Sequence, residues 1–202
     1  MKILLSPAKT LTLDAPNSNQ QPRFDHEAES LRRTFKRMSL KRYMSFFNIS
    51  KDVAKLTKAY YVSDKRYHAL TLYSGIAFRV FHQFEKTNVD NLYILSGLYG
   101  LIHANDGIKP YRLDLKHPLK GTLISFWKKR LYEVLKDEDV IYVCASSEYR
   151  ALLDERLPMI DVVITNQEKK APSVEAKKVR GALAHHLLTH KKADGFQFEG
   201  YR

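Results

Sequence analysis

The chain has 202 residues, 44% of them hydrophobic, with a net charge of +12 and a single cysteine, Cys144. That length suits one compact domain with a real core, and no stretch reaches the roughly 20 consecutive apolar residues of a membrane span. The opening Met1–Pro7 run is too short for a signal peptide, and one cysteine allows no intrachain disulfide, so a reducing cytoplasm is the expected setting.

Taken in chain order, residues 2–5 are short, apolar and β-prone, and predict a buried strand. Residues 13–24 carry Pro16, Pro22 and several Asn and Gln, and read as a loop or linker. Ala28, Leu31, Phe35 and Met38 then fall on one helical stripe, with Arg32, Arg33, Lys36 and Arg37 around it. Further helices are expected at about 51–61, 63–70 and 75–83. A second strand is expected at 91–95. Leu123, Trp127, Leu131 and Val134 mark another helix, followed by strands at 140–144 and 160–164. Pro172-Ser173 opens the last helix, with Ser173 as N-cap and Glu175 in its first turn. The sum is an α/β fold with a mixed or mostly parallel central sheet. A single domain spans 1–202, with a basic helical insert at about 25–86.

The charge is uneven. Between Leu31 and Lys86 thirteen Lys and Arg face three acids, Asp52, Asp64 and Glu85, for a net of +10; the rest of the chain carries +2. Such a segment suits a polyanion, nucleic acid before an anionic membrane. It also suits a solvated helical face with no partner. Tyr43, Phe46 and Tyr73 are available there for stacking on bases.

Three expected strands run into small or hydroxyl residues: Ser6-Pro7-Ala8-Lys9-Thr10, Ser96-Gly97-Leu98-Tyr99-Gly100, and Ala145-Ser146-Ser147-Glu148-Tyr149. If the strands are parallel, these loops gather at one sheet edge, where α/β proteins bind ligands. Small residues let a ligand approach the backbone, Lys9 offers a point charge and Tyr99 a stacking face. Ordinary tight strand–helix turns use the same residue types. Neither a Walker G-x-x-x-x-G-K-[ST] nor a G-x-G-x-x-G occurs, and G-x-S-x-G is absent.

The same loops carry a family resemblance. Leu5-Ser6-Pro7-Ala8-Lys9-Thr10-Leu11 resembles the opening signature of the YaaA peroxide-stress family. So does Leu95–Gly100, continued through Asp106 to Lys109-Pro110-Tyr111-Arg112-Leu113. Phe126-Trp127, Ala145–Tyr149, Ala176–Gly181 and Gly195–Tyr201 follow in family order. The resemblance implies a cytoplasmic protein of the peroxide-stress response that binds DNA and limits damage from intracellular iron. It implies a helix-hairpin-helix-like element around 72–78, whose glycine would be Gly75. Duplex or distorted DNA is the implied partner. The nucleic-acid-binding candidates are Arg32, Arg33, Lys36, Arg37, Lys41, Arg42, Tyr73, Gly75 and Arg79. The chain departs from the family at His103 and Ala104, Val143 and His185, positions expected near the pocket. It is also compressed before Ala176.

The pocket candidates are Ser6, Lys9, Ser96, Tyr99, Asp106, Tyr111, Arg112, Glu148, Lys178 and Arg180. Lys177, Lys178 and Arg180 sit on the last helix, where Gly181 permits close approach, and Lys178 and His185 share a face. They close over the strand ends, or they form a solvated basic face. Asp106 or Glu148 beside Tyr111 and Arg112 suits a general acid or base, or an ion pair bracing a loop. His186 and His190 are four apart, but no nearby Cys, Asp or Glu completes a metal set, so no metal and no cofactor are expected. Cys144 lies in an apolar strand and reads as packing rather than a redox sensor. Two functional readings follow: a nucleic-acid-binding stress protein, and an enzyme acting on a nucleotide or nucleobase in the strand-end pocket. A membrane-surface role is disfavoured because no helix joins a Trp- or Leu-rich face to a cationic one. The sequence carries no sign of oligomeric state.

Overall fold

The computed structural model describes residues 1–119, 121–166 and 169–201. Strand β1 (Lys2–Leu5) leads through a long loop to helices α1 (Asp25–Lys36), α2 (Leu40–Phe47) and α3 (Lys51–Val62). The two-residue β2 (Tyr67–His68) and the short helices α4 (Ala69–Leu72) and α5 (Ile76–Phe81) follow. Next come β3 (Leu92–Ser96), β4 (Gly100–His103), β5 (Gly107–Ile108), α6 (Leu123–Leu135) and β6 (Ile141–Cys144). The chain ends with α7 (Ser147–Arg150), β7 (Met159–Asp161), β8 (Thr165–Asn166), β9 (Lys169–Lys170) and α8 (Ser173–His190).

The fold is α/β, around a five-stranded sheet in the order β4-β3-β1-β6-β7. It is mixed and mostly parallel: β1 pairs in parallel with β3 and β6, β6 with β7, and only β4 runs antiparallel, against β3. Ile3, Leu4 and Leu5 are at most 1% exposed, so β1 is covered on both faces, as its unbroken apolar run requires. Helix α8 lies along α5 and against β1 and β6.

Several elements differ from the sequence reading, among them the strand expected at 160–164, which is β7 at Met159–Asp161. The helix expected at 63–70 is replaced by β2 and the single turn of α4, because Tyr67 and His68 pair with Ile108 and Gly107 of β5. At the start of α8, Pro172 takes the N-cap position and Ser173 is the first helical residue. Helix α2 was not foreseen. It is eight residues long, begins where the Ser39 side chain accepts from the Arg42 N–H, and ends at Asn48 in the left-handed region (φ 50°). Between residues 72 and 78 two short helices flank Tyr73-Ser74-Gly75.

Helices α1–α3 gather an aromatic cluster that is continuous with the core of the sheet. Phe35 stacks on Tyr61 with ring centroids 4.5 Å apart, Tyr43 stacks on Phe47 at 5.7 Å, and Phe46 stacks on His117 at 5.4 Å. Arg32, fully buried on α1, ties this core together. Its guanidinium donates to the carbonyls of Pro110, Tyr60, Tyr61 and Ser63 at 2.9–3.0 Å. The Nε, without a hydrogen-bond partner among the described residues, faces Glu29 Oε1 at 3.4 Å, and a buried guanidinium is tolerable where most of its donors meet acceptors.

Candidate functional site

The carboxyl ends of β1 and β6 open into a cavity of about 390 Å³. One wall is the Ser6–Thr10 segment, a second is the start of α5, a third is the start of α7, and α8 closes the fourth with Lys177 and Arg180. Two glycines bring these walls together. A Cβ on Gly75 would lie 2.6 Å from the Cβ of Ala8, so only glycine lets the loop after β1 pack against the start of α5. A Cβ on Gly181 would lie 2.1 Å from the Ala77 carbonyl oxygen, so only glycine lets α8 sit this close to α5. The strand ends are tied across the sheet: the Ser146 N–H donates to Ser6 Oγ at 2.8 Å, and Ser6 Oγ donates to Ser146 Oγ at 3.2 Å. Ser6 is thereby used up, while the Ser146 hydroxyl keeps its own proton to donate.

Three cations line this space. Lys9 is 60% exposed and pairs with Asp114 at 2.9 Å. Lys177 is exposed. Arg180 is half-buried, and its buried Nε has no hydrogen-bond partner among the described residues. Burial lowers the pKa of Arg180, and the only opposing influence is the Cys144 thiol. That thiol is itself pushed up to about 12 by complete burial, so it stays neutral and offers no counter-charge. Cys144 forms part of the cavity floor as an inert sulfur.

A smaller recess of about 60 Å³ adjoins the cavity and shares Lys9, Glu148 and Tyr149 with it. Tyr111, Arg112 and Asp114 complete its lining. Under it runs a chain of buried hydroxyls: Ser96 Oγ to Tyr111 OH at 2.7 Å and Tyr111 OH to Tyr73 OH at 2.7 Å. Ser96 Oγ already accepts from the Leu98 and Tyr99 N–H groups, so it donates to Tyr111. Desolvation pushes the Tyr111 phenol up to about 12, and the phenols of the chain remain protonated donors at neutral pH.

Of the residues the sequence singled out for the pocket, Ser6, Lys9, Glu148 and Arg180 reach the cavity, and Tyr111 and Arg112 reach the recess. The others lie elsewhere. Ser96 and Tyr99 are fully buried in the turn from β3 to β4. That strand doubles back on itself instead of leading to a helix, and the Gly97 carbonyl accepts from the Trp127 indole at 2.9 Å. Tyr99 therefore presents no stacking face. Asp106 sits in the turn after β4, where its carboxylate accepts the His103 N–H at 2.8 Å and burial raises its pKa to about 6. Lys178 points along α8 to Glu175 (3.2 Å) and Glu199 (3.3 Å). Its neighbour Lys177 faces the cavity instead. The spacing already held that distinction: Glu175 lies three residues before Lys178, a helical ion-pair spacing, and Lys177 stands three before Arg180. Ser146, which aims a free hydroxyl at the strand ends, also escaped the sequence reading, since nothing local marks it out from Ser147.

The basic helical segment divides in a similar way. Arg32 is 0% exposed and holds backbone carbonyls, so it belongs to the core. Tyr43 and Tyr73 are buried, at 0% and 1% exposure, and stack on nothing outside the fold. Gly75 lies in the cavity wall. Lys36 pairs with Asp64 at 3.2 Å, and Arg66 with Asp25 at 2.6 Å. Arg33, Arg37, Lys41, Arg42 and Arg79 are exposed and form no ion pair among the described residues. Arg33 lies on α1 and Arg37 caps its C-terminus one turn later, and Lys41 and Arg42 lie in the first turn of α2.

A comparison with known families places this architecture. The family described as peroxide stress protein YaaA matches residues 1–202. The chain belongs to this family. Among curated relatives, a UPF0246 protein of Clostridium perfringens strain 13 is 33% identical over 238 positions, covering all of this chain and 93% of that protein. A UPF0246 protein of Ligilactobacillus salivarius is 31% identical, covering 100% of this chain and 94% of its own length. One from Rhizorhabdus wittichii is 30% identical, with 100% and 93% covered. The alignments exceed the 202 residues of this chain, so these family members hold internal segments that it lacks. The positions expected to depart from the family near the pocket do not reach it. His103 bonds the Asp90 carbonyl at 3.1 Å, Val143 is buried in β6, and His185 bonds the Glu85 carbonyl at 2.8 Å and stacks on Phe84. None of the three lines the cavity. No helix of the described residues is long and apolar enough to cross a membrane.

Proposed function

We propose that this peroxide-stress protein is cytoplasmic and binds DNA through the exposed cations of its helical segment, limiting iron-linked damage to it. The observation that carries the reading is the state of those cations. Of thirteen Lys and Arg between residues 31 and 86, four pair with carboxylates: Arg32, Lys36, Lys55 and Arg66. The other nine form no ion pair among the described residues. Arg33, Arg37, Lys41 and Arg42 are the nearest to one another along the chain. Positive groups without internal partners release counterions when they meet phosphates, and they do so without reading bases. Flanking aromatics do not take part, because Tyr43 and Tyr73 are internal, so the contact is to backbone phosphates and is sequence-tolerant. Titration of labelled duplex, bulged and single-stranded DNA at about 50 and 200 mM salt tests this, with affinity expected to fall roughly tenfold or more between the two. No binding to any of the three at the lower salt would remove the reading.

A second reading is favoured by the cavity itself: an enzyme acting on a nucleotide or nucleobase at the strand ends. Its volume of about 390 Å³ falls within the range of small-molecule sites, roughly 300–1,000 Å³. The two readings are compatible, since a DNA-binding surface could deliver a base or nucleotide to a pocket on the same molecule.

A further inference from the structure

Positive charge without an ion-pair partner among the described residues lies at one end of the cavity. In the adjoining recess the cations Lys9 and Arg112 share the lining with the acids Asp114 and Glu148, and Lys9 is already bound to Asp114. At the α8 end no carboxylate answers Arg180, whose buried Nε has no partner among the described residues, and Lys177 stands one helical turn away. A guanidinium short of acceptors is costly to bury. Arg32, more deeply buried, also has an Nε without a hydrogen-bond partner among the described residues, but its terminal nitrogens meet four carbonyls and Glu29 lies 3.4 Å from that Nε. Arg180 has no such acceptors among the described residues. It lines a space that is open, and it shares that space with the unspent hydroxyl of Ser146, itself fixed by Ser6.

We propose that Arg180, Lys177 and the Ser146 hydroxyl form a phosphate subsite, and that the cavity takes a phosphomonoester of mononucleotide size. This rests on the second reading above and names its ligand class. The guanidinium fork matches two phosphate oxygens, the lysine supplies a point charge and the hydroxyl a neutral donor. Pro7, Ile76, Ala77 and Phe78 in the other walls are uncharged and suit the nucleoside part, while Lys9 and Glu148 belong to the side shared with the recess. The recess, where Asp114 already pairs with Lys9 and the acids equal the bases in number, gives a second anionic group no net attraction. A single terminal phosphate therefore fits better than a diphosphate. The phosphate belongs either to a free nucleotide or to the 5′ end of a DNA strand.

The full chain is titrated calorimetrically with dAMP, with deoxyadenosine and with a 5′-phosphorylated tetranucleotide. Three proteins are compared: the natural chain, Arg180→Met and Arg180→Lys. Arg180→Met is expected to lose dAMP affinity by about 10–100-fold, the worth of charge-assisted hydrogen bonds, and to leave deoxyadenosine affinity unchanged. Arg180→Lys is expected to fall between. Arg180→Met is also expected to melt about 2–4 °C higher, because an unanswered buried charge is gone; an arginine with a structural role would give the opposite sign. A tetranucleotide that binds more tightly than dAMP supports the strand end as source, and the reverse supports the free nucleotide. Equal dAMP binding by the natural chain and Arg180→Met overturns the subsite. Deoxyadenosine binding as tight as dAMP binding also overturns it, while leaving the nucleoside pocket standing. Binding of none of the three ligands removes both.

Discussion

The helical segment and the strand-end cavity treat positive charge in opposite ways. The segment between residues 31 and 86 holds thirteen cations, yet its most buried one, Arg32, is turned inward, its terminal nitrogens on four backbone carbonyls and its Nε beside Glu29. The others lie on or near the surface, some paired and most free in solvent. Among the described residues the cavity has three cations, and the buried Nε of its half-buried Arg180 has no hydrogen-bond partner. Density of charge along a sequence therefore says little about where a cation is poised for a ligand. What matters is whether burial is matched by acceptors. Arg32 and Arg180 are the same side chain in opposite conditions: one is a structural tie, the other a site.

The largest expected effect tests the structural half of that contrast. Arg32→Met should destabilise the fold by about 3–5 kcal/mol, since the carbonyls of Pro110, Tyr60, Tyr61 and Ser63 lose their donor. Arg33→Met, one residue along the same helix and exposed, should stay within about 0.5 kcal/mol. Urea unfolding of both variants measures this, and equal losses would erase the distinction between core and surface cations.

The next effect concerns the cavity walls. An interior helical Gly→Ala change ordinarily gains about 1 kcal/mol. Gly181→Ala should instead lose roughly 1–3 kcal/mol, because the new Cβ would lie 2.1 Å from the Ala77 oxygen. A gain would mean that α8 and α5 have room to part, and the close wall that positions Arg180 would be fictitious.

The smallest effect lies away from both regions. Burial raises the Asp106 carboxyl to about 6, above its ordinary value of about 3.9. A folded pKa above the unfolded one means that this group's contribution is complete below about pH 4 and is lost as pH rises through about 6. Asp106→Asn keeps an acceptor for the His103 N–H but cannot ionise. Its melting temperature should match the natural chain at pH 4 and exceed it at pH 7. A variant less stable at pH 7 would show that the carboxylate's hydrogen bond outweighs its desolvation.

Much of the architecture was readable in the residues, and the failures have physical causes. Apolar runs at 2–5, 91–95 and 140–144 located three of the central strands to within a residue, because strands covered on both faces read as near-continuous apolar runs. The strand-end loops after β1 and β6 do meet at the cavity. The third loop, Ser96–Gly100, has the same composition but turns straight back into β4, and local sequence does not distinguish a strand–helix turn from a covered hairpin. Tyr67 and His68 follow their partners in β5, forty residues away, rather than their helical propensity. Arg32 and Arg33 look alike in sequence; only the long-range carbonyls of Pro110 and Tyr61 set one apart. Lys177 and Lys178 look alike too, and there Glu175 already marked which of them was taken.

The most direct test sets the two regions side by side on one ligand. The slope of log K against log salt for a labelled duplex is measured for the natural chain, for Arg180→Met, and for the variant combining Arg33→Gln, Arg37→Gln, Lys41→Gln and Arg42→Gln. The helical variant should lose about 0.9 of slope for each phosphate contact removed, and Arg180→Met should keep the full slope. A helical variant with the natural slope, or an Arg180→Met protein that loses it, would contradict the division of labour between the exposed helical cations and the cavity.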